Sequence, residues 1–77
     1  MTDIETAIKE SIEKAIPDAD VQVSGSGGHF TIQVVSDVFE GKNRVASQRL
    51  VYSAIAHLMK GDAAPVHAVD KLTTLVP

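Results

Sequence analysis

The sequence predicts an α+β domain of αββαβ order, in which two helices cover one face of a three-stranded mixed sheet. Three observations predict it. Apolar residues recur at helical spacing in two separate segments. Two alternating runs flank a Gly/Ser stretch, the pattern of a β-hairpin. A third extended run follows the second helix, so the chain returns to the sheet through a helical crossover, the connection that parallel strands require. At 77 residues, positions 1–77 form a single domain. A chain this short buries roughly 60% of the surface its unfolded state exposes, so nearly every apolar residue is needed inside. Phe30, Phe39 and Tyr52 are the only aromatics, and the core must be built mostly from Ile, Val, Leu and Ala.

Helix one opens on Thr2-Asp3-Ile4-Glu5, which reads as a capping box with Thr2 as the cap. Ile4, Ala7, Ile8, Ile12, Ala15 and Ile16 then form one apolar stripe, and Pro17 stops the helix. Val21 and Val23 alternate with polar residues as a short first strand. Ser24 to Gly28 is only Gly and Ser and reads as a flexible hairpin loop. In strand two, Phe30, Ile32 and Val34 alternate with His29, Thr31 and Gln33, so His29 points away from the Phe30 face. Asp37 to Asn43 connects to helix two, from about Arg44 to Lys60, with Val51, Ile55, Leu58 and Met59 buried. Gly61 suits a left-handed C-cap. Strand three runs from Val66 to about Thr74. Its parity is ambiguous, because Val66, Ala68 and Leu72 share one side and Val69 takes the other.

With no cysteine, the chain has no disulfide framework, CxxC motif or Cys-type zinc site. No N-terminal segment resembles a signal or transit peptide. The longest apolar run falls short of the ~20 residues a membrane span needs. A soluble, cytoplasmic protein is expected, without membrane association. The net charge of −3 disfavours strong nonspecific binding to nucleic acid.

Gly25-Ser26-Gly27-Gly28 matches neither a phosphate loop, lacking the following Lys-Ser/Thr, nor a convincing Gly-x-x-Gly nucleic-acid clamp, lacking basic neighbours. There is no GxSxG elbow and no paired carboxylate, so nothing argues for an enzyme. Lys42, Arg44 and Arg49 cluster at the start of helix two, where cations oppose the helix dipole. Two readings stand: an anion-binding patch, or cations balanced by Asp37 and Glu40.

The histidines carry the sharper expectation. A right-handed crossover makes strands two and three parallel. His29 and His67, each opening a strand, then lie at the same end of the sheet, roughly 5–10 Å apart at the backbone. Two imidazoles without a thiolate supply half of an iron–sulfur ligand set, and the remainder must come from another molecule. The plainer reading, a surface histidine without a ligand, stays open for the pair and suits His57 best.

Taken in order, His29-Phe30 after the Gly/Ser loop, Val34-Val35-Ser36, Phe39-Glu40-Gly41, Arg44-Val45, Gln48-Arg49-Leu50-Val51-Tyr52 and Val66-His67-Ala68-Val69 span nearly the whole chain. This set resembles the BolA family and, within it, the short IbaG-like branch. The resemblance implies a BolA-like fold similar to a class II KH domain. It implies partnership with a monothiol glutaredoxin and glutathione, whose thiolates share a [2Fe–2S] cluster with two BolA-side ligands. Those ligands match His67 and His29. Arg44 and Arg49 are then candidates for docking glutathione carboxylates or the partner surface. Two departures from the family pattern stand out: no Thr-Pro-x-Glu-like segment and tail follow Pro77, and helix two reads Ser47-Gln48-Arg49 in place of an Arg-His-Arg run. The expected function is a non-enzymatic cluster-trafficking adaptor. The alternatives are a KH-like nucleic-acid-binding stress regulator and a purely structural interaction module. Self-association as a homodimer is left open.

Overall fold

The computed structural model describes residues 3–61 and 64–77. Helix α1 (Ile4–Ala15) is set by isoleucines four apart: Ile8 and Ile12 are wholly buried, and Ile16 follows just past the last turn. Such spacing stacks side chains on one face of a helix. Asp3 is the N-cap, its carboxylate accepting the Thr6 amide at 2.7 Å. That bond holds the Asp3 carboxyl below its usual range. Its contribution is therefore complete above the ordinary carboxylate range and fades only as pH falls through the lowered folded value. The cap expected at Thr2 lies outside the described residues. Ala15, expected in the apolar stripe, is exposed, because it faces an open groove shared with Ala54, His57 and Leu58.

Strands β1 (Asp20–Ser26) and β2 (His29–Val35) pair antiparallel, from Asp20 opposite Val35 to Ser26 opposite His29. The connection is shorter than the flexible loop the Gly/Ser run suggests. Gly27 and Gly28 alone form it, with φ of 64° and 83°. A two-residue type I′ turn needs positive φ at both central positions, and two glycines meet that need while the ladder extends to the turn. Along β2 the alternation is as expected: Phe30, Ile32 and Val34 are buried, His29 and Thr31 exposed.

After β2, a 3₁₀ turn at Asp37–Phe39 drops Phe39 into the core, its start held by the Ser36 hydroxyl accepting the Val38 amide at 3.2 Å. Helix α2 (Arg44–Ile55) is capped by Asn43, whose side chain accepts the Ala46 amide at 2.8 Å. The helix was expected to reach Lys60. Instead it tightens after Ile55 into a 3₁₀ turn, Ala56–Leu58, where the Met59 amide reaches the Ala56 carbonyl at 3.0 Å. Such tightening satisfies the carbonyls that a helix end leaves open. Val51 and Ile55 are fully buried, while Leu58 and Met59 are half-buried at the core margin. Gly61 has φ of 86°, the left-handed conformation expected of it.

Strand β3 (Ala68–Leu75) begins two residues later than expected, because Val66 is spent as a buried plug, its amide on the Leu58 carbonyl at 3.2 Å. The sheet order is β1-β2-β3, with β2 central and β2–β3 parallel. The parity of β3 is settled by a bulge. His29 pairs with Ala68 and Phe30 with Val69, but Thr31 pairs with Lys71, so Asp70 is an extra residue. Val69 and Leu72 consequently both lie level with core residues of β2, Phe30 and Ile32. Ala68, grouped with Leu72 by simple alternation, shares the register and face of His29. Both helices pack on the Phe30 face; the His29 face is open. Among the described residues no helix is long and apolar enough to cross a membrane.

The core is centred on β2. Ile32→Ala should cost about 2–5 kcal/mol, a large share of a stability on the order of 5–15 kcal/mol. Asn43→Ala should cost about 1 kcal/mol. Urea denaturation of both variants tests the ranking, and equal losses would contradict it.

Candidate functional site

The hairpin turn organises the end of the sheet where the histidines meet. The carbonyl of Gly28 accepts two amides, from His67 at 2.8 Å and from Ala68 at 3.0 Å. The chain leaving the crossover is thereby anchored beside the residue that precedes His29. Both histidines are exposed.

The imidazole of His67 lies against the α-carbon of Gly28. A β-carbon on Gly28 would collide with the edge of that ring, at Cδ2 and Cγ. Glycine is thus required there for two reasons: the turn conformation and the space the ring occupies.

His29 is oriented by a different neighbour. Its Nδ1 lies 3.2 Å from Oδ1 of Asp70, with both side chains about 60% exposed at 59% and 60%. An ionised carboxylate only accepts, so in the neutral ring Nδ1 carries the proton and Nε2 keeps its lone pair. This is the arrangement by which carboxylates fix metal-ligating histidines. At such exposure the contact adds little stability, and orientation is its main effect. Asp70 is the neighbour of His29 that reading the sequence missed. The signal was present as Val69 and Leu72, two core-facing residues three apart in a strand, which demands one extra residue between them.

Among the described residues neither Arg44 nor Arg49 makes a hydrogen bond or ion pair with His29 or His67. Arg44 opens α2 past the end of β2 that lies opposite His29. Arg49 lies midway along α2 and is exposed. Arg44 lines a separate cleft with Lys42 and Lys71. Among the described residues Asp37 and Glu40 form no ion pair with these cations. His57 is exposed on the 3₁₀ turn, its Nε2 3.3 Å from the Ser11 hydroxyl. Gly25-Ser26-Gly27-Gly28 closes a β-hairpin. All three aromatics are buried or half-buried, leaving none exposed for stacking on bases.

Comparison with known proteins agrees with this architecture. Residues 4–76 match the family described as BolA-like protein. The chain belongs to the BolA family. A protein of Acinetobacter guillouiae, known as an uncharacterized protein in the rpoN-murA intergenic region, is 40% identical over 63 residues, spanning 80% of this chain and 72% of its own. The acid stress protein IbaG of Escherichia coli K12 is 32% identical over 63 residues, spanning 82% of this chain and 73% of its own. A solved BolA homologue from Coxiella burnetii has a TM-score of 0.79 at 33% identity, over 100% of this chain and 94% of that one.

Two glycine variants separate the turn from the site. Gly27 has nothing within 4 Å of a built β-carbon. Gly27→Ala should therefore cost only the left-handed penalty of roughly 1–2 kcal/mol and leave the His67 ring resonances in place. Gly28→Ala should cost more and shift those resonances. Unmoved His67 signals in Gly28→Ala would contradict the ring position.

Proposed function

We propose that this chain is a non-enzymatic cytoplasmic adaptor that carries or relays a [2Fe–2S] cluster jointly with a monothiol glutaredoxin and glutathione. One observation carries the reading. Two exposed imidazoles stand beside one hairpin turn, one of them held by a carboxylate that leaves its Nε2 lone pair available. Membership of the BolA family, with what the resemblance implies, supports it.

The donor set fits a shared cluster rather than one held alone. Among the described residues no group of three or more His, Cys, Asp or Glu side chains gathers to hold a metal ion. The chain offers ring nitrogens and has no thiolate, and iron–sulfur clusters are otherwise held by thiolates. Sulfur ligands would come from the glutaredoxin and from glutathione. When the cluster is bound, imidazole in place of thiolate raises its potential, as in Rieske centres. The roles of this chain's residues are then distinct. His67 and His29 present ring nitrogens, Asp70 fixes the His29 ring, and Gly28 makes room for the His67 ring.

Arg44 and Arg49 are assigned, of the two roles considered for them, to contacts with the partner surface; both are exposed. A nucleic-acid role gains no support from an acidic chain whose aromatics are all covered.

Mixing the chain with a monothiol glutaredoxin, iron, sulfide and glutathione should give an absorption and circular-dichroism spectrum distinct from that of the glutaredoxin cluster alone. His67→Ala should abolish the difference. Asp70→Asn should weaken cluster retention by about 10-fold, the low end for a residue that orients a metal ligand. A spectrum identical with and without this chain, or unaffected by His67→Ala, would refute the assignment.

A further inference from the structure

We propose that the free edge of β3 binds an extended acidic segment of a protein partner as an added strand, with Lys42, Arg44 and Lys71 receiving its carboxylates. This surface runs along β3 from Lys71, level with Thr31, to Val76 past the far end of the sheet.

The backbone supplies half of the recognition. Among the described residues β3 is an edge strand, paired with β2 alone. The Leu75 carbonyl accepts the Ser36 amide at 2.9 Å, so the polar groups of Leu75 face inward to the sheet. Strand alternation then turns the amides and carbonyls of Leu72 and Thr74 to the outer edge. A peptide laid there in extended form can continue the ladder, the mode known as β-augmentation.

The side chains supply the selectivity. A cleft of about 480 Å³ opens between this strand and the start of α2, lined by Lys42, Arg44 and Lys71 together with Phe39, Leu72 and Leu75. No carboxylate lines it. The chain is acidic overall, at −3, yet these three of its seven Lys and Arg residues gather around one opening. Arg44 stands in the first turn of α2, which has no acidic residue. There the helix dipole opposes a cation, and a bound carboxylate would relieve the conflict. Leu75 and Val76 remain 44% and 47% exposed, offering apolar contact beside the charges. Lys71 guards the edge against indiscriminate strand pairing and favours an acidic strand.

Charge also selects among occupants. Pairing β3 with the same strand of a second copy would bring two cationic sets onto one interface, which like-charge repulsion opposes. A nucleic acid would find cations but no exposed aromatic surface to stack on.

The test uses the whole chain and a fluorescent eight-residue peptide alternating Glu with Val and Thr. Fluorescence anisotropy should show saturable binding, with the largest amide shifts in NMR at Leu72, Thr74 and Val76. The same peptide N-methylated at alternate residues keeps its charge but loses its edge-facing amides. It should bind at least about tenfold more weakly, as lost ladder bonds dictate. Lys42→Glu combined with Lys71→Glu, both at exposed positions, should weaken the unmodified peptide by at least about tenfold with an unchanged far-ultraviolet spectrum. Equal binding of the N-methylated peptide would reduce the surface to a polyanion site and overturn the proposal. So would tighter binding of a single-stranded oligonucleotide that displaces the peptide. A concentration-dependent dimer that occupies the same edge, seen by analytical ultracentrifugation, would also overturn it.

Discussion

One carbonyl oxygen, that of Gly28, receives the two amides that join β3 to the hairpin. The arrangement at this end of the sheet follows from that junction. It sets the parallel register, brings His67 beside the residue before His29, and starts the strand at Ala68. The same glycine shapes the tight turn and leaves the space into which the His67 ring packs. The left-handed turn and the ring space together make Gly28 intolerant of a side chain, while Gly27 beside it has open space.

Much of this was legible in the sequence. Isoleucines four apart defined α1, strict alternation defined β2, and the length of the crossover required a parallel β3. Each is a local rule applied to a segment long enough to obey it. What escaped was decided between segments. Ser24 and Gly25 look like loop in isolation, but pairing with Thr31 and Phe30 draws them into the ladder. Asp70 is an acidic residue in a short strand until the bulge sets it apart from Thr31 and near His29. Residues Ala56 to Leu58 carry helical spacing, yet the chain there must turn toward β3, and it does so by tightening into a 3₁₀ turn. Arg44 was grouped with a glutathione site by family resemblance alone, and the length of β2 separates it from the imidazoles.

The two ends of the sheet differ in chemistry. One presents imidazole nitrogen beside a carboxylate. Along β3 toward the other, Lys42, Arg44 and Lys71 line a cleft that no described carboxylate lines. The sheet between them is rigid, with Phe30, Ile32 and Val34 buried along its central strand, so the spacing of the two ends is fixed by strand length.

The crossover has a kinetic consequence. A two-residue hairpin closes on the scale of microseconds, whereas β3 docks only after the intervening helix is traversed, a contact of high sequence separation and a slow class of event. The two rings sit on segments far apart in sequence, and the parallel β2–β3 ladder with the two amides on the Gly28 carbonyl is what keeps them at one corner. Detaching β3 would part them even with α1 and the hairpin intact.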